Sequence, residues 1–175
     1  MYRSKEILGR PEWSFNRSVF KSIGYSDDDL KRPLIGIANS WNELVPGHYN
    51  LRQMAEAVKK GIYRAGGTAC EFGVIAGCDG TAQGHAGMHY ILPSRDLIAN
   101  DIETMVEIHH LDAVVLLGSC DKIVPGMLLA AARLDIPVIF MGGGPMLGGK
   151  VFDNRKSDLT SMSEGLGMLR AGKID

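Results

Sequence analysis

The sequence contains two copies of one arrangement, an apolar run that ends in a small corner followed by a Cys-Asp pair. The first copy is Phe-Gly-Val-Ile-Ala-Gly-Cys-Asp at residues 72–79, and the second is Ala-Val-Val-Leu-Leu-Gly-Ser-Cys-Asp-Lys at residues 113–122. Apolar runs without polar alternation are typical of parallel strands that are covered on both faces. Ligands of open α/β sheets bind beyond the carboxyl ends of such strands, so the two pairs indicate a functional site.

Apolar runs alternate with amphipathic helical patterns along the middle of the chain. The predicted strands are residues 33–38, 69–76, 113–118 and 136–141, and the predicted helices are residues 48–64, 93–110 and 125–133. This alternation predicts an α/β fold, a three-layer domain with a mostly parallel sheet of about four or more strands and helices on both faces.

The 175 residues divide into three predicted segments. Residues 1–32 are polar and form a predicted arm, residues 33–150 form the α/β domain, and residues 151–175 form a helical tail. Ser26 and Ser94 are interpreted as helix caps, because a side-chain hydroxyl accepts a hydrogen bond from the free N–H groups at a helix start.

Composition argues against several classes of protein. The formal net charge is −1, so the chain lacks a basic field and no nucleic-acid partner is expected. No apolar run is long enough to span a bilayer and the amino terminus lacks a signal-peptide core, so we expect no membrane partner and a cytoplasmic location. The three cysteines are then expected to be buried or to bind metal rather than form disulfides, and Cys70 is interpreted as a buried residue.

The paired residues offer two kinds of metal ligand. Thiolates, here Cys78 and Cys120, select zinc, copper or iron–sulfur centres, whereas carboxylates, here Asp79 and Asp121, select magnesium or manganese. The repeated pair therefore suggests a site with two compartments. Two cysteines alone do not complete an iron–sulfur cluster, so either other residues supply the missing ligands or the thiols are structural. Lys122 is a candidate catalytic group, as an anion clamp, a Schiff-base amine or, after carbamylation, a metal ligand.

A glycine run follows the last predicted strand. Gly143 and Gly144 lie in Gly-Gly-Gly-Pro-Met at residues 142–146, and such a run can direct backbone N–H groups at an anion. The polar loops at residues 39–48 and 77–88 are expected at the same edge of the sheet, where they can hydrogen-bond a ligand.

Several segments, in unbroken order from roughly residue 5 to 150, carry a family resemblance. They are Asn39-Ser-Trp-Asn, Pro46-Gly-His48, Asp79-Gly-Thr-Ala-Gln-Gly-His85, Leu92-Pro-Ser-Arg95, Cys120-Asp-Lys-Ile-Val-Pro-Gly-Met127 and Gly143-Gly-Pro-Met146. Together they resemble the dihydroxy-acid dehydratase and sugar-acid dehydratase family. Members dehydrate 2,3-dihydroxy carboxylates to 2-keto acids with an iron–sulfur cluster and a neighbouring Mg²⁺.

The resemblance implies roles for individual residues. Cys120 would be a cluster ligand, Asp79 and Asp121 would bind Mg²⁺, and Lys122 would correspond to a lysine that is carbamylated in some members. Many members carry a cluster cysteine where this chain has Gly47, so either Cys78 replaces that ligand or the cluster is of a different type. The candidate groups for binding substrate or an anion are Asn39, His48, His85, Ser94, Arg95, Gly143 and Gly144.

The resemblance also implies a small-molecule partner, either a branched-chain dihydroxy acid or a sugar acid, and a homo-oligomer in the full enzyme. Two other functions are consistent with the residues alone. One is a binding module that keeps the fold without the chemistry, and the other is a zinc or thiol-redox protein that uses Cys78 and Cys120.

We predict negligible dehydratase activity for the 175 residues alone. In the family a later cluster cysteine, the catalytic base and a carboxy-terminal domain follow the region that this chain resembles, so the chain is expected to be a fragment, a truncated product or one piece of a split enzyme. Turnover of a 2,3-dihydroxy acid by the purified, iron-reconstituted chain would contradict this prediction.

Overall fold

The apolar runs form a parallel sheet, which confirms the predicted α/β class. This computed structural model describes residues 2–144, 148–152 and 154–175. The strands of the sheet are β1 Leu34–Asn39, β2 Thr68–Gly73, β3 Ala113–Gly118 and β4 Val138–Gly142. Their order is β2-β1-β3-β4, and all neighbouring pairs are parallel. The strand β1 therefore lies between the two strands that lead to the Cys-Asp pairs.

Helices connect the strands and precede the sheet. They are α1 Ser4–Leu8, α2 Ser14–Ser22, α3 Asp27–Lys31, α4 Leu51–Arg64, α5 Asp79–Ala82, α6 Ile91–Ile108 and α7 Ile123–Arg133, with single 3₁₀ turns at Pro11–Trp13, Pro46–His48 and Ala86–Tyr90. No helix in the part of the chain that the structure describes has the length and apolar character needed to cross a bilayer.

Alternate residues of the central strands face opposite helical layers. Leu116 of β3 packs in one core with residues of α6 and α7, such as Ile102 and Met127. Leu117, the next residue along, packs in a second core with Leu51 of α4. Because successive side chains of a strand point to opposite faces, this alternation gives the predicted three-layer arrangement.

The segment predicted as an arm contributes to the core. Leu8 and Leu30 are buried in the same core as α6 and α7. The hydroxyl of Ser4 donates a hydrogen bond of 2.6 Å to Asp112, just before β3. Arg3 also pairs with Glu107 of α6 at 2.6 Å. The amino-terminal residues are therefore packed against the sheet domain rather than merely solvated.

The two predicted helix caps have different outcomes. Ser26 caps α3 in a capping box with Asp29, as predicted. The prediction for Ser94 is wrong, because α6 already begins at Ile91 and the Ser94 hydroxyl donates to the carbonyl of Ile91 at 2.6 Å. Pro93 does not prevent this earlier start, since the first N–H groups of a helix have no intrahelical partner to lose.

A second compact unit comprises Pro145–Asp175. It contains the predicted tail helix, α8 Leu159–Arg170, which begins with a capping box formed by Asp158 and Ser161. It also contains a short antiparallel hairpin of β5 Val151–Phe152 and β6 Arg155–Lys156, which the sequence pattern does not predict. Strands of two residues are too short to show a period.

Candidate metal centre

Side chains from both Cys-Asp pairs converge beyond the carboxyl edge of the sheet. The possible ligand atoms of Cys78, Asp79 and Cys120 all lie within 4.8 Å of one another. The Cys120 thiol is 3.4 Å from Oδ1 of Asp79, within hydrogen-bonding distance for sulfur. All three residues are partly buried. The group combines two sulfur donors and one oxygen donor, which is a suitable set for a soft or borderline metal centre.

The connection after β2 brings the first pair toward the second. The strands β2 and β3 are separated by β1, so their ends are about 10 Å apart at two strand spacings. The chain leaves β2 at Gly73, and the N–H of Val74 donates to the carbonyl of Asn39 at the end of β1, at 3.0 Å. Cys78 and Asp79 follow this connection and begin α5.

The backbone of Cys120 has an unusual conformation. Its φ is 75°, in the left-handed region that residues with a Cβ rarely adopt. Strained backbone of this kind is found preferentially at functional sites, where the surrounding structure maintains it. Burial, together with the neighbouring carboxyl group of Asp79, raises the pKa of the Cys120 thiol to about 11. A metal that binds this sulfur as thiolate must therefore displace a proton.

Asp121 and Lys122 do not converge on this group. Asp121 is exposed and forms an ion pair with the ammonium group of Lys122, which is the residue before α7. The sequence-based hypothesis pairs Asp79 with Asp121 at a hard cation, whereas the structure places Asp79 against the thiol of Cys120. The Mg²⁺ and catalytic roles of these residues stay predictions.

Two of the predicted substrate contacts are buried side chains with protein partners. Asn39 is 5% exposed, donates to Glu71 at 2.8 Å and accepts from the N–H of Trp41 at 3.0 Å. His48 is completely buried, with both ring nitrogens bonded to backbone groups of Ser40 and Ser119. These polar atoms already have protein partners, and the substrate-binding role of both residues stays a prediction.

The glycine run does not present free N–H groups to an anion. The N–H of Gly143 donates to the carbonyl of Gly118 at 2.9 Å, and that of Gly144 donates to the carbonyl of Gly47 at 2.8 Å. Both donors therefore join neighbouring segments at the edge of the sheet, and the anion-binding role of these glycines stays a prediction. Met146, which belongs to the same motif, lies outside the described residues.

The remaining candidate binding residues have mixed environments. The ring of His85 accepts from the N–H of Gly87 and lies 3.0 Å from the carbonyl of Thr81, so it stabilises its own exposed turn. Ser94 bonds within α6. The Nε atom of Arg95 is buried and has no hydrogen-bond partner among the described residues, while the Arg95 side chain as a whole is 38% exposed. The same atom lies 3.7 Å from Oδ1 of Asp96, and the binding role of Arg95 stays a prediction.

Gly47 lies where three loops meet. A Cβ built on Gly47 would lie 2.4 Å from the Ser119 hydroxyl, which itself donates to the Gly47 carbonyl at 3.1 Å. The sequence does not predict the contact between Gly47 and Ser119. A glycine before a helix and a serine after a strand are common in loops of all kinds, so neither residue indicates this contact.

We expect Gly47→Ala to be destabilising alone and less so in a Ser119→Ala background. The new methyl group forces the serine hydroxyl to rotate away and lose its hydrogen bond, which costs about 1 kcal/mol. Urea unfolding of the parent, the two single variants and the double variant measures the coupling free energy between the two substitutions. Strict additivity of the two changes would contradict the contact.

Comparison with known proteins assigns the chain to a family. Residues 32–175 match the family model described as dihydroxy-acid/6-phosphogluconate dehydratase N-terminal. The chain is 58% identical over 172 residues to a dihydroxy-acid dehydratase of Caldicellulosiruptor bescii and 54% identical over 172 residues to one of Pyrococcus furiosus, in each case over 98% of this chain and 31% of the relative. It is 53% identical to a dihydroxy-acid dehydratase of Ignicoccus hospitalis, over 95% of this chain and 30% of that protein.

The chain thus spans roughly three tenths of the length of these relatives, within the amino-terminal region that the family model describes. The match covers all four strands of the sheet and both Cys-Asp pairs. The chain therefore belongs to the dihydroxy-acid/6-phosphogluconate dehydratase family, of which it contains amino-terminal sequence.

Proposed function

We propose that this chain forms the metal-binding part of a hydro-lyase that converts a 2,3-dihydroxy carboxylate to a 2-keto acid. The observation that supports the proposal most directly is the convergence of Cys78, Asp79 and Cys120 within 4.8 Å. Three relatives that match nearly the whole chain are named dihydroxy-acid dehydratases, and we therefore favour a dihydroxy acid over a sugar acid as substrate.

The donor set fits part of an iron–sulfur site. Iron–sulfur clusters are held mainly by thiolates, and Cys78 and Cys120 supply two sulfur donors. The Asp79 carboxylate, 3.4 Å from the Cys120 sulfur, is the third donor of this group in residues 2–144, 148–152 and 154–175. The same three donors also suit zinc, so membership of the dehydratase family is what favours iron and sulfide in this proposal.

The carboxylate of Asp121, next to Cys120, fits a second, harder cation. Asp121 follows Cys120 directly and is exposed, so its oxygens are accessible to Mg²⁺. Its present partner, the ammonium group of Lys122, would be displaced by the metal, or the neutral Lys122 amine would add CO₂ and lose a proton to give a carbamate whose oxygen could bind the metal. In this arrangement Asp79 faces the thiols while Asp121 and Lys122 face the hard cation.

The reaction removes a hydroxyl group from C3 and a proton from C2, which leave together as water, and the resulting enol tautomerises to the ketone. The bound metals supply Lewis acidity for the departing hydroxyl group and positive charge beside the developing enolate. The residues of this chain would hold the metals and so determine where that positive charge lies relative to the substrate. Asp121 and Lys122 lie between the end of β3 and the start of α7, a position at which parallel α/β sheets bind their ligands.

Metal analysis of the anaerobically purified chain tests the proposal. After reconstitution with iron and sulfide, we expect both elements to bind stoichiometrically, with a visible charge-transfer absorption. Binding of zinc in preference to iron and sulfide would favour the zinc or thiol-redox function instead. Binding of a dihydroxy acid that is unaffected by removal of all metal would favour the non-catalytic module.

A further inference from the structure

The loop that follows β1, residues 40–48, contacts the segments that carry both cysteines. Its first residue is fixed to β3, because the N–H and the hydroxyl of Ser40 both bond to the carbonyl of Leu117, at 3.1 and 2.8 Å. Since β1 lies between β2 and β3, this loop emerges between the segment before Cys78 and the segment before Cys120. Neither segment has the regular pairing of the sheet, so other contacts must fix the cysteines.

Asn42 provides the contact on the Cys78 side. Its Nδ2 donates to the carbonyl of Ala76 at 3.2 Å, two residues before Cys78. Its Oδ1 accepts from the N–H groups of Leu44 and Val45, at 2.8 and 2.9 Å. These two bonds form a turn of the kind typical of asparagine and fix the carboxamide plane, so the donor is held toward Ala76.

His48 provides the contact on the Cys120 side. Its Nδ1 lies 2.6 Å from the carbonyl of Ser40 and donates to it, and its Nε2 accepts from the N–H of Ser119 at 3.1 Å. Ser119 directly precedes Cys120, whose backbone has the left-handed φ of 75°. The completely buried imidazole therefore fixes the peptide that leads into this strained residue.

We propose that Asn42 and His48 are positioning residues that together hold the thiols of Cys78 and Cys120 at the separation needed to bind one centre. The inference rests on the proposed function only in treating these thiols as a ligand pair. Each residue acts through a backbone group next to a cysteine, at Ala76 or at Ser119. Outer residues that orient metal ligands commonly change affinity by about 10–100-fold when they are replaced.

Four variants separate this role from a general effect on folding. Asn42→Asp keeps the oxygen that accepts from Leu44 and Val45 but removes the donor to Ala76. His48→Asn keeps a donor near Ser40 but is too short to reach Ser119, whereas His48→Gln places an acceptor near the position of Nε2. Thr68→Val is the matched control, because the completely buried Thr68 donates a hydrogen bond of 2.7 Å from its hydroxyl to the carbonyl of Asp29, at the opposite end of β2, and the variant removes that bond.

The separation of the thiols can be measured without metal or activity. Phenylarsine oxide condenses with two adjacent thiols, forming two As–S bonds and releasing one water, with no change in oxidation state. The 175-residue chain is titrated with this reagent under nitrogen, and its affinity is measured by competition with 2,3-dimercaptopropanol. Urea unfolding of each variant gives its stability in parallel.

We expect the parent chain to bind one arsenical with loss of two thiols. Asn42→Asp and His48→Asn should each weaken this binding by about 10-fold, while His48→Gln and Thr68→Val should bind nearly as tightly as the parent. Unchanged affinity in the first two variants, equal weakening by His48→Gln, or equal weakening by Thr68→Val would each overturn the inference. So would a parent chain that fails to lose two thiols. Failure of the parent to take up iron would contradict the proposed function and leave this result intact.

Discussion

Replacement of Cys120 by serine should abolish thiolate-dependent metal binding by this chain. Cys120 supplies one of the two sulfur donors among the three converging ligands. Changes in outer residues alone cost about 10–100-fold in metal affinity, so loss of a direct sulfur donor should exceed about 100-fold. Titration with Co²⁺, which gives an intense sulfur-to-metal absorption only when thiolate is bound, measures the loss. The same variant should fail to retain iron and sulfide after anaerobic reconstitution.

Cys70→Ser is the matched control for this experiment, since it makes the same exchange of sulfur for oxygen. Cys70 lies within β2, and its sulfur is 3.5 Å from the hydroxyl of Tyr25. Burial raises the pKa of its thiol, and it does not belong to the converging group. We expect this variant to bind Co²⁺ with the parent absorption. If Cys70→Ser lost the band and Cys120→Ser kept it, the assignment of the metal centre would be wrong.

The strands and helices can be predicted because their local patterns agree with the fold. Continuous apolar runs such as residues 113–118 are typical of buried parallel strands, and the structure has a strand over the same residues. The order of the strands in the sheet cannot be predicted from these local patterns, because it depends on which faces of the helices and strands pack together. The position of β1 between β2 and β3, and hence the role of its following loop, becomes visible only when the sheet is assembled.

The site can be predicted only in part, for a related reason. The repeated Cys-Asp pattern identifies Cys78, Asp79 and Cys120, which the structure brings together. Asn39 and His48 have side chains that can hydrogen-bond a ligand. The sequence does not show whether these side chains already form hydrogen bonds within the protein. The left-handed backbone of Cys120 is likewise invisible in sequence, because φ above zero is expected at glycine rather than at cysteine.

The close packing of α6 against α7 predicts a large loss of stability on substitution of Gly126. Gly61, in a different helix, is the comparison, and the opposite outcome is expected there. Gly126 of α7 is buried, and a Cβ built on it would lie 2.8 Å from the carbonyl oxygen of Arg95 and 3.0 Å from Ile98. A backbone carbonyl in α6 cannot move without moving the helix. Gly61 lies in α4 and is exposed, and within the part of the chain that the structure describes a Cβ built on it would meet no neighbouring atom within 4 Å.

We therefore expect Gly126→Ala to lower the free energy of unfolding by about 1–3 kcal/mol, because overpacking outweighs the gain in helix propensity. Gly61→Ala should raise the free energy of unfolding by about 0.5–1 kcal/mol. Alanine lowers the conformational entropy of the unfolded chain, and its methyl group causes no clash in the folded one. Urea unfolding followed by tryptophan fluorescence measures both, since Trp13 and Trp41 lie in the unit that contains the sheet. Stabilisation by both changes would show that α6 and α7 shift enough to accommodate the methyl group, and it would remove the close helix contact as a reason for glycine at position 126.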